Sequence, residues 1–335
     1  MVVSVRSLLI RSCDGLTRLR TGGGRLLVLI YHRVLPIADA MYPHDPDVAL
    51  FREQMRALRE DFRVLPLGEA LERLPRGTLP AGAVAITFDD GFADNHDHAL
   101  PVLRDLQMSA TFFVASGHLG AGAMFNDVII EACRRAPAGG WDTGVPSVGR
   151  VELRDGPGRC RLAYRLIAHA KYLPGQVRHD FAQRLLDATG AGAPRGLMMS
   201  PDQVRALRAA GMTIGGHTRS HPILANLGDA EAALEIAGGK ADLEAILGEP
   251  ITLFAYPNGA PGRDYSQRDV RLVGQAGFQG AVTTARGFAD RSASLLEMPR
   301  VATWDRSAWR FSARLALERA IGRGALRAPA MAQPG

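Results

Sequence analysis

Short, almost wholly apolar runs alternate with helix-periodic segments along most of this chain, and that alternation constrains the fold more than any other feature of the sequence. Leu26 to Ile30, Ala83 to Phe88, Ala110 to Val114, Met212 to Ile214, Ile251 to Ala255 and Phe278 to Thr283 are too apolar for strands with one wet face. They predict strands buried on both sides. Between them Leu50 to Glu60, His98 to Gln107, Asp229 to Leu247 and Ser266 to Ala276 carry apolar residues at helical spacing, the last ending at Gly277 where a left-handed cap fits. Ser200-Pro201-Asp202-Gln203 reads as a capping box with proline in the first helical position, and Gly211 closes the helix it opens. Such alternation implies an α/β fold, a parallel sheet with helices outside, open or closed into a (β/α) barrel. The 335 residues suit one large barrel or two ordinary domains.

Gly120 to Leu197 departs from the pattern. Gly/Pro-rich pieces (Ala136 to Gly140, Gly144 to Gly149, Asp155 to Gly158) surround two helix-periodic stretches, Arg161 to Lys171 and Gly175 to Thr189, and no segment reads as a strand. We read residues 120–197 as a helical insertion in a barrel spanning 25–310, with a C-terminal helix and flexible tail over 311–335. Ahead of the barrel, Val5, Leu8, Leu9, Cys13, Leu16 and Leu19 recur at helical spacing with Arg6, Arg11, Arg18 and Arg20 mostly between them. This predicts a basic amphipathic helix over 1–24, which either packs on its own domain or lies on an anionic membrane surface.

The formal charge of +6 excludes a nucleic-acid partner once its distribution is read, because the basic residues, all arginine but Lys171 and Lys240, form no stripe. Cys13, Cys133 and Cys160 are odd in number and widely spaced, so they suggest neither a disulfide framework nor a thiolate metal site. Arg6 and Arg11 interrupt the N-terminal apolar residues before a signal-peptide core could form, and Leu26 to Tyr31 is too short to span a bilayer. A cytoplasmic protein is therefore expected, with peripheral contact to the inner face of the membrane offered by residues 1–20.

Two motifs carry chemistry, each at a predicted strand end. Thr87-Phe88-Asp89-Asp90-Gly91 puts adjacent carboxylates where parallel α/β folds open their ligand cleft. The same five residues can also form a plain Asp-Gly turn. His217-Thr218-Arg219-Ser220-His221 follows Met212 to Ile214, and two histidines four apart can converge on one metal. Imidazole pairs with a carboxylate in open, catalytic sites of zinc and related ions. Each motif supplies what the other lacks.

In this order the two runs resemble the first two motifs of the NodB-homology polysaccharide deacetylases, carbohydrate esterase family 4. Leu29-Ile30-Tyr31-His32-Arg33-Val34, Phe254-Ala255-Tyr256-Pro257-Asn258-Gly259 and Met298-Pro299-Arg300 resemble its poly-N-acetylglucosamine deacetylase branch, so the likeness covers about residues 25–305. The resemblance implies a distorted, incomplete (β/α) barrel that removes acetyl groups from an N-acetylated sugar. It implies a divalent metal, zinc first and Co²⁺, Ni²⁺, Mn²⁺ or Fe²⁺ after it, on Asp90, His217 and His221, with Asp89 as general base. An oxyanion donor is implied at the backbone near Tyr256 and Pro257.

The chain departs from the commonest family pattern at two points. The arginine expected shortly before Pro-Tyr is missing, with Phe254 and Ala255 preceding a reversed Tyr-Pro, and no histidine follows His221 to serve as general acid. His32, at the end of the first strand, is the candidate acid, and Arg300 the candidate replacement that keeps Asp89 ionised. His96 and His98 are expected to be peripheral, and Asn126 and Asp127 either line the cleft or cap a helix. The readings that compete with deacetylation of an amino sugar are a carbohydrate-binding barrel without catalysis, and an O-acetyl esterase or amide hydrolase on another substrate.

Overall fold

Seven parallel strands close into a ring in this computed structural model, which describes residues 24–120, 122–154 and 156–321. In chain order the strands are β1 (Leu27–Tyr31), β2 (Arg63–Val64), β3 (Ala83–Phe88), β4 (Thr111–Val114), β5 (Gly139–Asp142), β6 (Arg150–Leu153), β7 (Thr213–Gly216), β8 (Leu253–Ala255), β9 (Gly280–Arg286) and β10 (Met298–Ala302). The ring runs β1-β3-β4-β7-β8-β9-β10 and returns to β1. β2 pairs with the first two residues of β3, while β4 pairs with its last two. The expected distorted and incomplete barrel is present, with seven strands where eight would complete it. The predicted helix over 1–24 lies outside the described residues except for Gly24, and so does the tail beyond 321.

The described chain divides into two compact units, residues 24–37, 44–119 and 199–321 in the first, and 38–43 and 120–198 in the second. In the first unit every residue of β1, β3, β4 and β8 is buried, as expected of parallel strands covered on both faces. Tyr31 stacks on Phe88 at 5.3 Å between ring centres, Phe88 stacks on Phe112 at 4.8 Å, and Phe51 meets Tyr31 edge-on at 5.3 Å. Each such buried ring contributes roughly 1.5–3 kcal/mol. Phe88 immediately precedes Asp89, so this packing fixes the strand end on which the acids sit. Among the described residues no helix is long and apolar enough to cross a membrane.

The second unit corrects one expectation, since its β5 and β6 form an antiparallel hairpin where no strand was predicted. Most of its residues are partly or fully exposed, so the hairpin lacks the continuous apolar run that marks a buried strand. Helices Phe125–Arg135, Gly156–Ala170 and Gly175–Asp187 surround a separate core containing Ile129, Cys133, Leu166 and Leu185. Cys133 and Cys160 are buried free thiols, and burial pushes the Cys133 thiol up to about 12. Asp127 accepts from the Met124 N–H at 3.1 Å and so caps the first of these helices.

Two further differences have local causes. The helix predicted from His98 begins as a π-turn over Asn95–Ala99 and becomes α-helical over Leu100–Asp105, because Pro101 lacks the N–H that a regular turn would donate. β10 was not read as a strand because Pro299 and Arg300 break its apolar run. Its pairing with β9 shifts register between Met298 and Arg300, as proline inside a strand requires.

Candidate metal centre and active site

Asp89 and Asp90 directly follow β3, and β7, two places further round the ring, runs directly into His217. The Nδ1 of His217 lies 2.7 Å from the Ala255 carbonyl at the end of β8. A carbonyl only accepts, so Nδ1 donates its proton there and Nε2 keeps a free lone pair. That Nε2 is 3.4 Å from Asp90 Oδ1, and the Nε2 of His221 is 3.3 Å from the same oxygen. All three donor atoms lie within 4.8 Å of one another. Donors on a tetrahedral cation with bonds of about 2.0–2.1 Å sit about 3.3–3.4 Å apart. The two measured separations match, so the Asp90, His217 and His221 group could hold a metal ion.

Burial opposes charge on Asp90, but the imidazoles of His217, His221 and His32 around it outweigh that and hold the carboxyl well below the usual range. Burial likewise pulls His217 down, and Asp90 with Asp89 more than reverses it, so this imidazole stays above its ordinary value. The pocket is therefore built for positive charge at the Nε2 position.

The loops that present these donors are conformationally costly. Asp90, Thr218, His221 and Asn258 have φ of +76°, +63°, +56° and +59°, and they are four of the five non-glycine residues in the left-handed region among those described. Such backbone costs on the order of 1–3 kcal/mol per residue and persists only where the surroundings enforce it. The helix Asp229–Leu247 does so at the histidine loop: Glu235 Oε2 accepts from the Arg219 and Ser220 N–H groups at 3.0 and 2.8 Å. Thr218 Oγ1 accepts from the His221 N–H at 3.1 Å. A Cβ on Gly239 would fall 2.6 Å from the Thr218 carbonyl carbon, so this glycine lets the helix approach the loop. Sequence reasoning missed Glu235 and Gly239. Their only signal was the Gly238-Gly239 pair in the middle of a helix that would otherwise exclude it.

Asp89 is 3% exposed and paired with Arg300, itself 2% exposed. Arg300 Nη1 and Nη2 each donate to one Asp89 oxygen at 2.7 Å, Nη1 also reaches Thr87 Oγ1 at 3.1 Å, and Nε donates to the Thr283 carbonyl at 2.8 Å. Burial raises the Asp89 carboxyl, but the Arg300 charge and its hydrogen bonds prevail and leave it lowered. The structure thus joins Arg300 to Asp89, two residues 211 positions apart in the chain.

His32 lies exposed at the end of β1, and its charge is felt by Asp89, Asp90 and Asp45. Its backbone is held firmly: Asn95 Nδ2 donates to the His32 carbonyl at 2.8 Å, and Asp94 accepts from Arg33 Nε at 2.8 Å and the Val34 N–H at 3.2 Å. His96 pairs with exposed Asp97 at 2.8 Å and takes no part in the site.

The oxyanion assignment at Tyr256 and Pro257 is corrected. The Tyr256 N–H donates to the Val282 carbonyl at 3.2 Å, extending the β8–β9 ladder by one residue, and its hydroxyl donates to the Leu296 carbonyl at 3.0 Å. Tyr256 is fully buried against Tyr265, and Pro257 has no N–H to offer. A buried amide must find a partner, and here the sheet supplies it.

Asp45 yields a test of the electrostatics beside His32. Burial pushes its carboxyl up to about 6 against the opposing pull of His32 and Arg33. A raised folded value stabilises below the unfolded value near 3.9, and that contribution is lost as pH rises through about 6. Asp45→Asn is therefore expected to melt roughly 3 °C above the parent at about pH 8 and level with it at about pH 4. Identical offsets at both pH values in a thermal scan would remove the raised carboxyl.

Chemically, this is a barrel whose strand ends gather a cation-type donor set beside a second carboxylate, held by Arg300 rather than by the imidazoles, the layout of a hydrolase. The sequence profile described as Polysaccharide deacetylase matches residues 76–281, more than half of the chain, and the chain belongs to that family. It is accordingly an enzyme, a polysaccharide deacetylase. YxkH of Bacillus subtilis (strain 168), which carries the family's name, is 22% identical over 279 residues, 83% of this chain and 71% of that protein. A poly-β-1,6-N-acetyl-D-glucosamine N-deacetylase of Staphylococcus epidermidis is 32% identical over 77 residues, 23% of this chain and 27% of that protein. Two solved structures share the fold. The Streptococcus pyogenes deacetylase PplD, in complex with acetate, has a TM-score of 0.57 at 18% identity, covering 86% of this chain and 96% of its own. IcaB from Ammonifex degensii has a TM-score of 0.56 at 22% identity, covering 89% and 98%.

Proposed function

We propose that this enzyme removes acetyl groups from N-acetylated sugars of a polysaccharide or saccharide precursor, using a divalent cation, zinc first, on Asp90, His217 and His221. The observation that carries the reading is the division of labour between adjacent acids: Asp90 faces two imidazoles, while Asp89 is turned to Arg300 and kept ionised. The name of the Staphylococcus epidermidis relative supports an N-acetylglucosamine substrate.

A cation on this donor set supplies Lewis acidity, polarising the acetyl carbonyl and making water a stronger acid near neutral pH. Asp89 takes the proton from the attacking water. Arg300 fixes the plane of that carboxylate through two parallel hydrogen bonds, so one geometry is presented on every turnover. His32, within electrostatic reach of both acids, gives a proton to the departing nitrogen. Asp94 and Asn95 keep its backbone in place during that transfer. The barrel's buried strand ends keep the acids from relaxing into water.

The reading is tested by measuring acetate release from a soluble N-acetylglucosamine polymer. Protein treated with chelator until metal analysis finds none is expected to stop releasing acetate, and zinc or cobalt is expected to restore it. Undiminished release from the stripped protein would remove the cation from the mechanism.

A further inference from the structure

His217 and His221 reach the donor set by different routes. The His217 ring is oriented by its own hydrogen bond to the Ala255 carbonyl at 2.7 Å. His221 is carried by a loop whose backbone is left-handed at Thr218 and at His221 itself, with φ of +63° and +56°. Residues other than glycine hold that conformation only while their surroundings enforce it. The helix Asp229–Leu247 reaches this loop with Glu235. Its Oε2 accepts from two successive amides, Arg219 at 3.0 Å and Ser220 at 2.8 Å, and its Oε1 accepts from Ser220 Oγ at 2.7 Å.

The neighbourhood lets this carboxylate reach the loop. A Cβ on Gly239 would fall 2.6 Å from the Thr218 carbonyl, and one on Gly238 would fall 2.9 Å from Arg219 Cζ. A larger residue at Gly239 would push the helix off the loop. Just beyond β4, three successive amides tie the two ligand-bearing loops together. The Ala115 N–H donates to the Asp90 carbonyl at 3.3 Å, and the Ser116 and Gly117 N–H groups donate to the Thr218 and Arg219 carbonyls at 3.4 and 2.8 Å. Asp242, on the same helix as Glu235, accepts from Ser116 Oγ at 2.8 Å and from the Arg219 guanidinium at 2.7 and 2.8 Å. Among these contacts, those of Glu235 fall on the two amides directly ahead of His221.

We propose that Glu235 is a positioning residue for the cation: by holding the Arg219 and Ser220 amides it sets His221 Nε2 against Asp90 Oδ1, 3.3 Å away. Glu235 is not itself one of the three donors. A carboxylate that accepts from backbone N–H groups makes a strong, charge-assisted contact, and losing an outer partner of a metal ligand typically weakens metal binding about 10–100-fold. Reach and charge are separable in this side chain. Glu235→Gln keeps the reach, since its carbonyl oxygen accepts from both amides and its NH₂ donates to Ser220 Oγ, but it removes the charge. Glu235→Asp keeps the charge but is one methylene shorter, which takes the carboxylate off the amides. Positioning therefore predicts that Gln substitutes for Glu235 and Asp does not. The inference rests on the cation reading proposed above, and its test distinguishes the two.

The experiment is a zinc titration of the metal-free full chain in competition with a chromogenic chelator, with visible spectra of the cobalt-loaded protein taken alongside. Glu235→Ala and Glu235→Asp are expected to bind zinc about 10–100-fold more weakly than the parent, and Glu235→Gln to stay within about threefold of it. At saturating cobalt the spectrum of Glu235→Ala is expected to differ from the parent's, because a displaced imidazole changes the coordination geometry. Ile236→Val trims a buried side chain of the same helix, so it is expected to lower the melting temperature and leave zinc affinity unchanged. If Glu235→Ala does not fold, the Gln and Asp variants decide. Zinc affinity equal to the parent's in Glu235→Ala or Glu235→Asp overturns the inference, and so does tight binding by Glu235→Asp with weak binding by Glu235→Gln, which would make Glu235 a plain charge. A parent that binds no zinc removes the cation reading and this inference together. Zinc binding in the expected order without acetate release removes the deacetylation reading alone.

Discussion

Asp89→Asn is expected to lower acetate release about 10²–10⁴-fold, the range attributed to a positioned general base, while the protein still takes up its cation. Asparagine preserves the volume of the side chain and one acceptor for Arg300 Nη1, but it cannot accept a proton from water at neutral pH. Its amide NH₂ also faces Arg300 Nη2, which now donates to a carboxylate oxygen at 2.7 Å. Some loss of stability is thus expected together with the loss of turnover, and melting curves must accompany the kinetics. Cation uptake should survive because the three donor atoms reside on Asp90, His217 and His221. The informative comparison is with His217→Ala, which should lose cation and turnover together. Turnover of Asp89→Asn within tenfold of the parent, at full cation loading, would reassign the base.

The parts of this site that were readable in the sequence are those whose chemistry is local. Asp89 and Asp90 follow an apolar strand, His217 and His221 follow another, and each motif spans only five residues. The strands themselves were legible because burial on both faces leaves continuous apolar runs, as in Ala83–Phe88. What escaped depends on contacts between distant segments. Glu235 reads as one more acidic residue on a helix, and only the fold brings its carboxylate against the Arg219 and Ser220 amides. Tyr256 was misplaced for a related reason. Its motif marks a loop, but β8 extends one residue into that motif and takes the amide into the sheet. The hairpin of the second unit was missed because its strands are short and largely exposed, leaving no period to read. Arg300 lies between these cases: the resemblance suggested it, but only closure of the ring places it beside Asp89.

Arg300→Met is expected to invert the pH dependence that Asp89 imparts to stability. In the parent, the folded carboxyl lies below its ordinary value, so its contribution is present above the unfolded value near 3.9 and is lost as pH falls through the lower folded one. Remove the guanidinium and the balance reverses, because burial, which raises this group, then acts without its main opponent. The variant's Asp89 contribution should be complete below pH about 4 and diminish as the pH rises above it. Near neutrality the buried, unpaired carboxylate is expected to cost about 3–5 kcal/mol, the usual consequence of deleting one partner of a buried ion pair. Urea unfolding of metal-free protein across the acidic and neutral range reads both the size and the sign. Thr87 Oγ1 and the Thr283 carbonyl lose a donor as well, so part of the loss will not depend on pH. The double variant Asp89→Asn with Arg300→Met isolates the electrostatic part: with no charge left to bury, it should recover much of the neutral-pH deficit of Arg300→Met alone. If the single variant keeps the parent's slope with pH, the guanidinium is not what holds Asp89 ionised.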